Sequence, residues 1–371
     1  MPVSTSVLLP VNLSVIINRS AYGFLFASVL LMLSSCAQVP MQMNYFIDET
    51  LQKSAPLWPD LPEVPRYRYA GQLLGGKNFS EIVSQEPGTF SKVLKWIAGL
   101  DDENTSDKFS LLRPQSGMVA GNRTYVTDIG RAAVFVFDRA VAKLKIWTLA
   151  DMGVAFVSPI GITQGPGQTV LVADSELKRI VRLSIDGSPL GSFGMGQLSR
   201  PTGITRDAAS GQVFVVDTHA HDIKVFDDQG KLLRTIGKRG LAEGEFNSPT
   251  HITISQNKLY VSDTLNARVQ VLSLDGKPIT SVGKRGLYLG NMTRPKGVAV
   301  GSDGNIHVVE SYYDHLLVYD EEGKFLLPIG GTGINVGQFY LPAGAWSDDQ
   351  GRIYVADMYN GRVIIFQYLG S

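Results

Sequence analysis

One short string recurs six times along this chain, and it constrains the fold more than any other feature. A proline followed two residues later by Gly or His begins at Pro159, Pro201, Pro249, Pro295 and Pro342, with spacings of 42, 48, 46 and 47 residues. Pro114-Gln115-Ser116-Gly117 is a sixth copy with one residue inserted. A second string keeps the same period: Tyr125-Val126-Thr127-Asp128, Leu171-Val172-Ala173-Asp174, Phe214-Val215-Val216-Asp217, Tyr260-Val261-Ser262-Asp263, His307-Val308-Val309-Glu310 and Tyr354-Val355-Ala356-Asp357. A period near 45 residues describes an array of one supersecondary unit that buries its apolar face only by stacking on its neighbours.

Each unit reads as four short strands, a to d. In the fourth unit these are 252–254, 258–262, 269–274 and 279–282, and Asp275-Gly276 supplies a hairpin turn that needs positive φ. Asp186-Gly187 and Gln229-Gly230 stand at the matching place. A repeated four-stranded meander is a propeller blade, so the fold class is all-β, a six-bladed β-propeller. The innermost strands converge on one axis, which accounts for Gly at five of the six strand-a starts. The last unit runs out at Ser371 without a strand d, whereas Tyr69-Ala70-Gly71-Gln72-Leu73-Leu74-Gly75 resembles the d strands that end in Gly194, Gly237, Gly283 and Gly330. The N-terminal strand is therefore expected to close the ring and remove two open edges. Residues 76–113 become an enlarged connection into blade one, with a short helix expected at 91–98.

These strings carry a family resemblance. Pro201-Thr202-Gly203-Ile204, Phe214-Val215-Val216-Asp217 and the run from Gly237-Lys238-Arg239-Gly240 to Phe246 and Pro249 resemble NHL repeats, over about residues 66–371. The resemblance implies a fold and no single activity, because NHL-type propellers include binding modules, sensor domains and a few enzymes. The segment from Trp58-Pro59 to Pro65-Arg66 is similar to that of bacterial NHL lipoproteins.

Charge narrows the partners. Lys plus Arg and Asp plus Glu stand at 34 each, and Arg19 is the only charge in the first 35 residues, so the remainder is close to neutral. That balance gives no support to a nucleic-acid-binding or polybasic membrane-binding surface. The single cysteine, Cys36, excludes an internal disulfide and a thiolate metal cluster. It follows an apolar run, 20–33, too short for a comfortable membrane span, and ends the string Leu33-Ser34-Ser35-Cys36, which resembles a bacterial lipobox. Residues 1–35 are read as a lipoprotein signal peptide, with Cys36 as the lipidated N-terminus. Residues 36–65, with prolines at 40, 56, 59, 62 and 65, are read as a tether, and 66–371 as the propeller. The expected location is the cell envelope, on the periplasmic or surface side. Ala37 after the cysteine is compatible with the outer membrane of a Gram-negative cell.

Chemistry belongs where loops converge, and in a meander the d-to-a and b-to-c connections share one mouth of the channel. Asp128, Asp174, Asp217, Asp263, Glu310 and Asp357 end strand b there; a turn-capping role is expected for them, with a carboxylate-rich cation site as the sharper alternative. Residues that do not repeat are the better ligand-binding candidates: His219, His221, His251, Tyr312, Tyr313, His315 and Tyr359. The pairs Lys238-Arg239 and Lys284-Arg285, with Arg200, Arg294 and Lys296 beside the repeat prolines, make that sector cationic and suited to anions.

Enzyme templates fit poorly. The peptide-amidating lyase resembles an NHL propeller whose zinc ligands are histidines directly after the repeat proline, where this chain has Gln115, Ile160, Thr202, Thr250, Lys296 and Ala343. No Ser nucleophile elbow, P-loop or His-Glu-x-x-His string is present. The expected function is a lipid-anchored, non-catalytic binding or scaffold module for an envelope protein or small ligand, with no cofactor. The alternative is a lactonase-like periplasmic hydrolase or lyase with a channel Ca2+.

Overall fold

A computed structural model describes residues 41–46, 48–81 and 109–370. The repeat becomes six antiparallel sheets, five with four strands and one with five. Blade four shows why these residues take this form. Its strands are Pro249–Ser255, Lys258–Asp263, Arg268–Ser273 and Pro278–Val282, registered through Thr253, Tyr260, Val271 and Thr280. Strand b loses the usual in-and-out alternation because each blade is packed on both faces: Val213–Asp217 of blade three is buried throughout. Phe214, Val216 and Ile223 of that blade share one core with Ile252, Leu259 and Val261 of the next. At the c-to-d turn Gly276 has φ +91°, and a Cβ there would stand 2.8 Å from Ile236 of blade three, so geometry and neighbour both require glycine.

The axial glycines are explained by the adjacent blade. A Cβ on Gly161 would lie 2.2 Å from the Thr202 carbonyl oxygen, one on Gly297 2.4 Å from the Ala345 nitrogen, and one on Gly344 2.3 Å from the Gln115 oxygen. The inner strands thus touch backbone to backbone around the channel.

Three successive d-to-a connections share a folded-back shape. Arg239 bridges to Phe246, Arg285 to Met292 and Thr332 to Phe339, and Phe246, Met292 and Phe339 are fully buried between blades. The connection from blade one to blade two instead carries a small ribbon, Leu149–Asp151 with Val154–Ala155.

The ring closes as expected. Tyr67–Leu73 lies against Arg362–Tyr368, with Leu73 opposite Val363, Gly71 opposite Ile365 and Tyr67 opposite Tyr368. Tyr67 also reaches blade five, where its hydroxyl is hydrogen-bonded to His307 Nε2 at 2.8 Å. Burial holds His307 down at about 4, so at neutral pH this is a neutral pair.

The described part of the proline-rich segment does not run as a free tether. Leu57–Trp58 adds a fifth strand to blade six, outside Tyr67 and Arg68. A short helix, Glu49–Lys53, begins where Asp48 accepts the Thr50 amide at 2.8 Å. The cause is the apolar residues interspersed with the prolines: Phe46, Leu51, Ala55 and Trp58 pack on the core of blade six, with the Trp58 ring edge-on to Phe366 at 5.2 Å. Met41–Met43 pairs with Phe79–Glu81. The segment read as a signal peptide, Cys36 and the helix expected at 91–98 lie outside the described residues. Among the described residues, no helix is long and apolar enough to cross a membrane.

Candidate functional site

The six carboxylates that end strand b are structural pins. Each turns back to the amides before the repeat proline. Asp128 accepts from Leu112 N and Arg113 N at 2.7 and 3.0 Å, Asp217 from Ser199 N and Arg200 N at 2.7 and 2.8 Å, and Glu310 from Thr293 N and Arg294 N at 3.1 and 2.6 Å. Asp174 does the same for Val157 and Ser158. Blades four and six use a variant. Asp263 holds Asn247 N and the Arg268 guanidinium, while Asp357 holds Tyr340 N and Arg362. Each arginine then donates to two carbonyls of the d-to-a loop: Arg268 to Ala242 and Glu245, Arg362 to Asn335 and Gln338. Burial pulls the Asp357 carboxyl upward, and these donors oppose it. All six carboxylates are buried and spent on hydrogen bonds. Among the described residues no group of three His, Cys, Asp or Glu is placed to hold a metal ion.

A cavity of about 300 Å³ lies in the channel mouth that these pins frame. Its wall is the ring of residues directly after the repeat prolines: Gln115, Ile160, Thr202, Thr250, Lys296 and Ala343. Ile129, Ser158, Arg200, Thr218, His251, Gly344 and Met358 complete it. The threonines link neighbouring blades. Thr202 Oγ1 and Thr218 Oγ1 are 2.8 Å apart, and Thr218 donates to the Pro249 carbonyl at 2.7 Å. Thr250 and Thr264 repeat this contact at 2.8 Å. Against these paired hydroxyls, Lys296 is distinct. Burial, then the charge of Arg294, lowers its pKa, and among the described residues no carboxylate pairs with it. His251 stands in the same cavity in place of the axial glycine. Burial depresses it to about 4, with the Ala345 backbone pulling the other way, so the imidazole is neutral at neutral pH. Arg200 is paired with Glu176 at 3.2 Å, so among the described residues the site offers one cation without a carboxylate partner, hydroxyl and amide groups, and a neutral imidazole.

Comparison with known proteins places the fold. Residues 207–283 match a family model described as a 6-bladed beta-propeller, DUF5128. Among solved structures, the chain is similar to a structural genomics protein of unknown function from Bacteroides thetaiotaomicron, at 14% identity and TM-score 0.56, covering 70% of each chain. It is similar to an auxiliary nutrient binding protein from the same organism at 11% identity and TM-score 0.55, covering 71% of each. A catalytically inactive virginiamycin B lyase from Staphylococcus aureus with quinupristin matches at 14% identity and TM-score 0.52, covering 69% of this chain and 95% of that one. At such identities the likeness is one of fold. No curated protein matches the chain.

Of the side chains expected at the mouth, His251, Arg200 and Lys296 line the cavity. His221 sits at φ +58° in the b-to-c turn, and its Nδ1 accepts the Ser248 amide at 2.9 Å, doing for blade four what Asp314 does for Leu341 of blade six. His219 is exposed. Tyr313 and His315 line a separate groove of about 210 Å³ with Leu287 and Leu289, and Tyr312 packs edge-on to Tyr313 at 4.8 Å. Tyr359 lies on the rim beside Tyr340, with the Arg113 guanidinium 5.7 Å from its ring centre. Lys238 pairs with Glu245 at 3.3 Å, Arg239 and Lys284 are exposed, and Arg285 donates to the Leu265 carbonyl at 2.5 Å. The cavity wall is visible in the sequence at the position after the repeat proline, where Lys296 is expected to add to a cationic sector while Thr202 and Thr250 carry no signal of a site. A larger groove of about 720 Å³ flanks the closure strand, between Trp58, Tyr67 and Leu326.

Proposed function

We propose that this protein is a non-catalytic, lipid-anchored propeller of the cell envelope that binds a small organic anion in its channel mouth. The observation that carries the reading is Lys296: an ammonium in a concave, hydroxyl-lined cavity with no carboxylate beside it has its counter-charge still to be supplied. The volume is that of a small ligand site. Calorimetric titration with a panel of short mono- and dicarboxylates and sugar phosphates tests it. One panel member binds the wild type, and Lys296→Ala weakens that binding about tenfold or more, as loss of a charge-assisted hydrogen bond requires. Because the Lys296 pKa is lowered, affinity falls as pH rises through it, earlier than an ordinary lysine would impose. Equal binding by wild type and Lys296→Ala overturns the reading.

A second reading, a hydrolase or lyase, draws on the same lowered amine, since burial favours the neutral form that a general base needs. Ligand turnover lost in Lys296→Ala separates it from simple binding. The fold likeness to a nutrient binding protein and to a lyase favours neither.

The anchor and the family are part of the proposal. The lipobox-like string ending in Cys36 supports export with lipid attachment, and the recurring strings from Gly237 to Pro249 support an NHL type of blade. Cys36→Ser is expected to leave an unprocessed precursor that takes up no labelled palmitate; undiminished labelling would remove the anchor from the model.

A further inference from the structure

The folded-back loops leave something that folding does not account for. Each is fixed by its backbone bridge and its buried plug, Phe246, Met292 or Phe339. The fourth residue after the closing glycine takes part in neither, yet it is a large aliphatic in all three: Leu241, Leu287 and Ile334, exposed at 77%, 79% and 75%. In the middle loop the tip is extended by Tyr288 at 84% and Leu289 at 60%. Scattered exposed leucines are ordinary; three at one register position of successive blades, on the same face, form a patch.

Two further observations say what would cover it. First, the tips belong to one continuous rim. Arg285 ties the middle loop to the blade-four turn at Leu265, Asp314 holds the Leu341 amide of the next loop, and Asn360 donates to the Gly333 carbonyl at 2.9 Å. Second, the charge beside them has one sign where the tip is longest. Residues 283–294 contain Lys284, Arg285 and Arg294 and no acid, and 330–344 contain no charge at all. Tyrosines stand at the base of this rim: Tyr312 against Tyr313, and Tyr340 against Tyr359 at 5.5 Å. Projecting aliphatic tips, neighbouring phenols and the cations of the middle loop match the apolar, interfacial and anionic parts of a membrane surface, while the first loop balances Lys238 and Arg239 with Glu243 and Glu245.

We propose that the rim of blades four to six docks on an anionic lipid bilayer, with Leu287, Tyr288 and Leu289 entering the acyl boundary and Lys284 meeting lipid phosphates. The docking does not depend on the channel ligand or on a lipid at Cys36, and it would give the propeller a fixed orientation on the surface.

The test uses the fact that Cys36 is the only cysteine. In the full chain with Cys36→Ser, Leu287→Cys or Val141→Cys carries a nitroxide; Val141 is 56% exposed, in the turn after strand c of blade one at the opposite end of the channel. Both are exposed sites, so neither label disturbs a blade. With vesicles of phosphatidylcholine and phosphatidylglycerol at 7:3, the label at 287 is expected to move from water-soluble to oxygen-accessible relaxation while the label at 141 stays aqueous. Lys284→Glu is expected to weaken this partition about fivefold or more, and pure phosphatidylcholine to weaken it similarly. A label at 287 that stays aqueous on anionic vesicles overturns the proposal and assigns the rim to a protein partner. Equal immersion of both labels overturns it too, because binding would then come from the rest of the chain.

Discussion

Deletion of Tyr67–Leu73 is expected to open the propeller and leave a chain that aggregates or melts far below the wild type. The strand buries Tyr67, Tyr69 and Leu73 almost completely. At about 1.5–3 kcal/mol for each large apolar side chain, this burial alone approaches the whole stability of many domains. Its loss also bares the edge of Arg362–Tyr368, an apolar strand buried over five of its seven residues, which is a template for pairing between chains. On the other side, His307 loses the Tyr67 hydroxyl and is left buried without it. Substitutions grade the effect if the deletion gives no soluble protein. Tyr69→Ala is expected to cost about 3–5 kcal/mol in denaturant titration, Trp58→Ala less because that ring is half-buried, and Arg68→Ala close to nothing because its side chain points to solvent. A deletion variant that melts with the wild type would mean that the ring is closed by something else.

The reach of the sequence can be followed residue by residue. Blade number, strand order and closure were legible because each depends on a signal that recurs along the chain, such as Pro201-Thr202-Gly203, Asp275-Gly276 or the d strands ending in Gly237 and Gly283, where steric demands admit few residue types. The folding of 48–58 onto blade six was not, since Phe46, Leu51 and Trp58 have no period and the prolines between them read as an extended chain. Site residues are harder to read for a related reason. A residue that departs from the repeat can serve a turn as well as a ligand: His221 accepts one amide, that of Ser248, which is held at φ +50°. Lys296, by contrast, stands at a position where the blades keep no common residue, only Thr202 and Thr250 being alike, and only the geometry of the channel turns that position into a wall. A local string carries turn chemistry well and carries poorly any site assembled from six separate blades.

The pins separate a structural carboxylate from a cation ligand, and Asp357→Ala is expected to be among the most damaging single changes in the propeller. Asp357 accepts from the Tyr340 amide at 2.8 Å, from Asn360 at 2.8 Å and from Arg362 Nε at 2.7 Å. Arg362 is only 7% exposed, so removing the carboxylate leaves a guanidinium buried without a counter-charge, at a cost of about 3–5 kcal/mol. Asp217→Ala makes the contrast, because Asp217 holds only the amides of Ser199 and Arg200 and its removal strands neutral donors worth about 1–3 kcal/mol. The double variant Asp357→Ala with Arg362→Leu is expected to be more stable than Asp357→Ala alone, since no orphan charge remains, although the carbonyls of Asn335 and Gln338 lose their donor and the loop above them loosens. Urea midpoints of the four proteins decide the matter. Equal losses for Asp357→Ala and Asp217→Ala, or a double variant no more stable than Asp357→Ala, would reject the guanidinium pin. A stable Asp357→Ala protein with altered Ca2+ binding would instead restore the carboxylate-rich mouth as a cation site.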